Sequence, residues 1–182
     1  VSDNDRRTHV LDAALLVFAR YGYRKASMDD VAKAADISRP GLYFHFPSKA
    51  ELFRAAVEHA LDDSIKAAKN ALADPDRPLR ERLIDAFDHW AGRYVGPMSE
   101  EIGILIDSNP ELLDAMPVEY PKRFLRIVVA ALAADASGHT GIRPIDVART
   151  LLSTANGIKH DVRTRKEFRA RMTIAIDLYC AR

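Results

Sequence analysis

Apolar residues recur at helical spacing along most of the chain, and the polar breaks between them predict about nine helices. Leu11, Ala14, Leu15 and Phe18 follow i, i+3, i+4, i+7, one apolar stripe on a helix that stops at Gly22. Ser27 stands three residues before Asp30 and just ahead of Met28, Val31, Ala32 and Ala35. That order predicts a second helix, capped by Ser27, with acidic residues in the turn where the helix dipole favours them. Asp36-Ile37 predicts a tight turn. Ser38 then caps a third short helix, which takes Pro40 in its first turn, where a missing N–H costs nothing, turns Leu42 and Phe46 inward and ends near Phe46-Pro47.

Ser48 and Glu51 have capping-box spacing, and Phe53, Ala56, Val57, Ala60, Leu61, Ile65, Ala68 and Leu72 hold one face of a long fourth helix over about 48–73. Asp74 to Pro78 breaks it. Leu79, Leu83, Phe87, Trp90 and Tyr94 predict an aromatic-rich helix that stops around Gly96-Pro97. A short helix carrying Ile102, Leu105 and Ile106 is ended by Asn109-Pro110. Phe124 to Ala134 is apolar nearly all round, as a helix at the centre of a bundle would be, and 137–144 reads as a loop. The last two helices, about 145–160 and 168–182, each show two apolar faces. Val147, Leu151, Ala155 and Ile158 form one stripe, widened by Ala148 and Leu152; Ile174 and Leu178 are offset from Phe168, Met172, Ala175 and Tyr179. A helix with more apolar surface than one core contact requires usually meets a second partner.

The pattern contains no strand, repeat or low-complexity tract, so the expected fold is all-α. The first 47 residues form a three-helix unit, and 48–182 a helical domain joined to it by helix four. At 182 residues, 48% apolar and 29% charged, the chain has the composition of an ordinary soluble protein. No membrane span or secretion signal is visible, and a cytoplasmic setting is expected. A single cysteine, Cys180, excludes an intramolecular disulfide and a Cys-based zinc site. The net charge of +1 divides unevenly: residues 1–50 carry eight Lys or Arg against six Asp, leaving the remainder at −1. That asymmetry is too small to imply nucleic-acid binding alone, so such a reading rests on where individual residues sit.

Two short capped helices across a tight turn, followed by Tyr43, His45 and Lys49, supply the physical parts of a reader of the DNA major groove. The run from Ser27 to Phe53, SMDDVAKAADISRPGLYFHFPSKAELF, resembles the TetR family signature: a Val-Ala pair, a turn ending in Ile-Ser, then Leu-Tyr-x-His-Phe and Ser-Lys-x-x-Leu. The resemblance covers about a quarter of the chain. It implies a sequence-specific transcriptional regulator, most often a repressor, with phosphate contacts at Ser27, Tyr43, His45 and Lys49 and base-reading positions at Arg39, Pro40, Gly41 and Phe44. Two positions depart from the family pattern. Asp36 stands where glycine is usual, and Asp tolerates left-handed backbone. Gly41 stands where a small hydroxyl or methyl side chain is common, which shifts specificity toward Arg39, a residue able to take guanine bidentately. Asp29, acidic beside the expected DNA backbone, argues against contact at its own position.

The resemblance further implies a homodimer, joined as a four-helix bundle through the last two helices at Val147, Leu151, Leu152, Ala155, Ile158, Ile174 and Leu178, and a small-molecule effector. The aromatic group Phe87, Trp90, Tyr94, Tyr120 and Phe124, with Met98, Met116 and Asn156, and with Thr154 as a further polar group, would line an effector pocket suited to an apolar or aromatic molecule; the plain alternative is ordinary core. No cofactor is expected. Asp85 and His89 are one helical turn apart without the further ligands a metal needs, Cys180 has no evident His partner, and no Gly-x-Ser-x-Gly elbow is present. An enzyme is therefore not expected. The remaining alternative is a DNA-binding regulator whose C-terminal domain binds a protein instead of a small molecule.

Overall fold

The computed structural model describes residues 3–96, 104–106, 108–135 and 141–180. Among them there is no strand. The helices are α1 (Asp3–Lys25), α2 (Met28–Ala34), α3 (Arg39–His45), α4 (Lys49–Ala73), α5 (Leu79–Trp90), α6 (Met116–Ala134), α7 (Pro144–Asp161) and α8 (Arg165–Cys180), with a further helical turn at 104–106. None of the described helices is long and apolar enough to cross a membrane. The chain divides into two compact units, one from the described residues of 1–62 and 98–117, the other from those of 63–97 and 118–182.

The first unit is built on α1. Val10, Leu11, Ala13, Ala14, Val17 and Phe18 are buried, while Leu15 is half-buried and Leu16 exposed. Gly22 (φ 74°, ψ 155°) interrupts the helix where the sequence predicts, because its backbone enters a region that a side chain disfavours. The first half of α4 belongs to this core: Phe53 meets Phe18 edge-on at 5.3 Å and lies 5.1 Å from Tyr23. This unit extends into the first half of α4. Arg54 and Asp114 form an ion pair in the same unit, and Pro110, expected to close a helix, opens a 3₁₀ turn (Pro110–Leu112).

In the second unit, the α4 carbonyl of Leu72 accepts from Arg82 Nη1 at 3.0 Å, which satisfies one of the free acceptors at the helix end. Helix α5 stops at Trp90, short of the expected Gly96-Pro97, and a 3₁₀ turn (Gly92–Tyr94) follows. Gly92 there lies against another helix. A Cβ on Gly92 would lie 2.4 Å from Asp88 Oδ1 and 2.8 Å from the Phe168 ring, so only glycine lets the backbone pass there. Helix α6 also differs from expectation. Only Met116, Tyr120, Phe124, Val128 and Leu132 are buried, one residue in four, so the helix lies against a core on one side and is not surrounded.

Charged side chains fasten α8 to α5. Asp88, 7% exposed, accepts from Arg165 Nε at 3.0 Å and Nη2 at 2.8 Å, with Arg169 Nη1 at 3.4 Å. Asp85 accepts from Arg77 Nη2 at 2.7 Å and Arg169 Nη2 at 2.6 Å, and Arg80 pairs with Asp177. Burial pushes the Asp85 carboxyl up, but the two guanidiniums outweigh it and hold the group below its ordinary value of 3.8. The unfolded chain therefore takes up this proton before the folded chain does. The pair stabilises fully above about pH 4 and its contribution fades as pH falls through the folded value. Arg169→Ala should accordingly cost about 1 kcal/mol at neutral pH, discounted for its half-exposed guanidinium. In urea titrations the difference from the parent chain should shrink as pH falls below about 4; a difference that stays constant on acidification would show that Asp85 is not the partner that matters.

Candidate nucleic-acid interface

Helices α2 and α3 are short, and each is fixed by side-chain caps. Ser27 Oγ accepts from the Asp30 N–H at 3.2 Å while Asp30 Oδ2 accepts from the Ser27 N–H at 3.0 Å, a complete capping box. Ser38 Oγ accepts from the Gly41 N–H at 3.2 Å. The link between them turns at Asp36 with φ 51°, so aspartate takes the left-handed conformation expected of this position. Met28, Val31, Ala32, Ala35, Leu42 and Phe46 are buried, and the Arg7 guanidinium lies 4.8 Å from the centroid of the Phe46 ring.

With Leu42 turned inward, α3 presents Arg39, Pro40, Tyr43 and Phe44 outward. Phe44 is 84% exposed and Tyr43 40%; Gly41 and His45 are half-buried, and Ser27 is exposed at the start of α2. The Phe44 and His45 rings meet edge-on at 5.3 Å. A Cβ at Gly41 would come within 3.1 Å of Ser38 Oγ, so the departure from a larger residue relieves pressure on the cap. Arg39 is held on two sides. Its Cζ is 5.6 Å from the Tyr43 ring centroid, its Nε 3.0 Å from Asp29 Oδ1, and its Nη1 donates to Asp29 Oδ2 at 3.4 Å. Tyr43 first, and Asp29 second, raise its already high pKa.

Lys49 is placed differently from the other expected contacts. Its ammonium donates to three carbonyls in the turn after Gly22: Tyr23 at 2.9 Å, Ala26 at 3.1 Å and Arg24 at 3.4 Å. It also lies 4.6 Å from the Tyr23 ring centroid. An ammonium has three donors, so the side chain is engaged inside the unit and is not presented as a free charge.

The residues expected to line a pocket are partly turned on one another. In the second unit, Phe124 stacks on Trp90 at 4.7 Å and 9°, and takes Phe87 edge-on at 5.1 Å. The Tyr94 hydroxyl meets Ser64 Oγ at 2.8 Å, and burial pushes its pKa up. Tyr120 is buried beneath the Arg123 guanidinium. Met116 is buried but belongs to the residues of the first unit, and Met98 lies outside the described residues. Asn156 sits on the exposed face of α7, away from the buried stripe. Thr154 Oγ1 donates back to the Thr150 carbonyl at 2.9 Å.

Residues 10–56 match the family described as bacterial regulatory proteins, tetR family. Over 166 residues the chain is 29% identical to the nicotine-responsive transcriptional repressor HdnoR of Paenarthrobacter nicotinovorans, an alignment that takes in 86% of this chain and 83% of that one. The N-terminal part of the chain, residues 10–56, is of the TetR family. Against the transcriptional activator FasR of Mycolicibacterium smegmatis the chain is 41% identical over 97 residues, half of its own length and 44% of FasR, so it spans less than half of that relative. The TetR-family regulator PfmR of Thermus thermophilus superimposes with a TM-score of 0.69 at 21% identity, over 92% of this chain and 96% of that one, which extends the likeness of fold beyond the N-terminal unit.

The Lys49 clamp, inside the matched segment, has a measurable consequence. Lys49→Met should destabilise the protein by about 1–2 kcal/mol, since hydrogen bonds from a charged donor are worth more than neutral ones. It should leave the salt dependence of DNA binding unchanged, because the ammonium is already engaged by the three carbonyls. A salt slope smaller by about one, with stability intact, would instead place Lys49 on the phosphate backbone.

Proposed function

We propose that this protein is a ligand-responsive repressor that binds a near-palindromic operator as a homodimer and releases it on binding a small apolar or aromatic molecule. The observation that carries the proposal is the outward face of α3. A seven-residue helix that leaves Phe44 and Tyr43 in solvent beside Arg39 and Pro40 makes sense when a groove covers that face. Ser27, Tyr43 and His45 are then suited to phosphate, and Arg39, Pro40, Gly41 and Phe44 to base edges. Repression is favoured because the match to a repressor runs over most of the chain, whereas the match to an activator runs over half of it.

Dimerisation is assigned to α7 and α8, with a smaller set of residues than the sequence suggests. Val147, Leu151, Ala155 and Ile158 are buried within the chain and have no surface to offer a partner. Leu152, half-buried, with Ile174 at 61% and Leu178 at 77% exposure, is the set left for an interface. Release follows by linkage: an effector that prefers the conformation with mismatched recognition helices by about 100-fold removes about 2.7 kcal/mol from operator binding. Helix α4 is the element through which we expect the two units to be coupled, since it is continuous from Lys49 to Ala73. An effector chemistry rich in aromatic or apolar surface is supported by Phe87, Trp90, Tyr120 and Phe124, and by the nicotine response of HdnoR.

The deciding experiment is fluorescence anisotropy with pooled palindromic and random duplexes at two salt concentrations. Selective binding that drops at least about tenfold in Arg39→Ala and Tyr43→Ala is expected, since each loses a base or phosphate contact. Weak binding, equally salt-sensitive on every duplex and unchanged in both variants, would overturn the reading. Leu178→Asp, at an exposed site, should leave the monomer folded and shift sedimentation from dimer to monomer; a dimer that persists would move the interface elsewhere.

A further inference from the structure

We infer that Asp29 is a specificity-determining residue of the DNA interface, acting through Arg39: it aims the guanidinium at a base edge and holds it away from phosphate. The inference rests on reading α3 as the groove-reading helix, and goes beyond it by assigning a role to an acidic residue on α2 that touches no base itself.

Asp29 is the second residue of α2 and Arg39 the first of α3. The caps at Ser27 and Ser38 and the left-handed turn at Asp36 fix both backbones, so the carboxylate reaches the fork from a rigid mount. Both carboxylate oxygens approach the guanidinium, at 3.0 Å and 3.4 Å, while the Tyr43 ring lies alongside. The two side chains are 60% and 49% exposed, and a pair so open to water adds little to stability. Its effect is on where the charge sits. An arginine already held in one pose loses less freedom when it meets guanine, whose O6 and N7 accept a planar fork.

The same carboxylate weakens indiscriminate binding. Affinity for random duplex comes from cations that displace counterions at phosphate. An Arg39 neutralised by Asp29 contributes little to that term unless a phosphate displaces the carboxylate, and the negative charge of Asp29 itself opposes the approach of the backbone. Guanine, being neutral, meets no such opposition. Asp29 therefore lowers random binding more than selective binding.

The test measures base preferences by selection from a randomised duplex pool, and affinity for random duplex as a function of salt, with Asp29→Asn, Asp29→Glu, Arg39→Ala and the double variant Asp29→Asn/Arg39→Ala. Asp29→Asn should flatten the preference at the base pair read by Arg39, where a bidentate contact discriminates by about 5- to 150-fold. It should also bind random duplex more tightly, with a salt slope steeper by about 0.9, one added phosphate contact. Asp29→Glu should retain the preference, and in the Arg39→Ala background Asp29→Asn should change the selected sequence no further. Unfolding midpoints identify any variant that has lost its fold, and Asp29→Glu then carries the comparison. An Asp29→Asn protein with the parent's preference and salt slope overturns the inference while leaving α3 as the reading helix. An Arg39→Ala protein with unaltered preferences overturns the assignment of Arg39 to a base, and the inference with it.

Discussion

The turn that follows Gly22 exposes the carbonyls of Tyr23, Arg24 and Ala26 with no helix beyond to donate to them, and the ammonium of Lys49 donates to all three. This contact ties the end of α1 to the start of α4, 23 to 26 positions apart in sequence. Between those two points lie α2, the Asp36 turn and α3, so their attachment at both ends is set by one side chain and by the Phe18, Tyr23 and Phe53 rings packed beneath it. Two seven-residue helices are too short to persist in water by propensity. They persist because capping fixes their ends locally and the clamp closes the loop that contains them.

The second unit meets a different demand with a different device. Helix α8 turns Phe168, Met172 and Ile176 inward, all fully buried, yet its flank along α5 is lined by Arg165, Arg169 and the Arg80–Asp177 pair. Asp88 lies at the centre, and its two oxygens are satisfied by guanidinium donors whose other sides reach water. A carboxylate so placed is costly to bury alone and acceptable when paired. Gly92 completes the arrangement by allowing the backbone to pass against both Asp88 and Phe168.

What was legible in the sequence was what depends on near neighbours along the chain. Ser27 with Asp30, Ser38 with Gly41, and Asp36 in left-handed backbone involve partners within three positions or none, and the structure contains each of them. The outward face of α3 followed from the same local frame, since Leu42 inward leaves Tyr43 and Phe44 outward. The role of Lys49 was not legible, because its partners precede it by more than twenty residues and carbonyls carry no sequence signal. Asp29 was seen only as an unfavourable charge, since its pairing with Arg39 depends on how two helices cross. The early end of α5 was hidden for a similar reason: the glycine that permits it is answering to Phe168 on another helix.

Hydrophobic spacing also could not say which of two apolar faces a helix keeps for itself. On α7 the stripe of Val147, Leu151, Ala155 and Ile158 is the better one, and the chain's own core takes it. On α8 the core takes Phe168, Met172 and Ile176, one stripe at a spacing of four, and leaves Ile174 and Leu178 outside. Folding claims the larger and more continuous stripe first, because association recovers apolar area only after its own entropy cost is met. A surface left for a second copy is therefore the weaker stripe by construction. It is recognised in the folded chain by its exposure, and in the sequence only as a surplus.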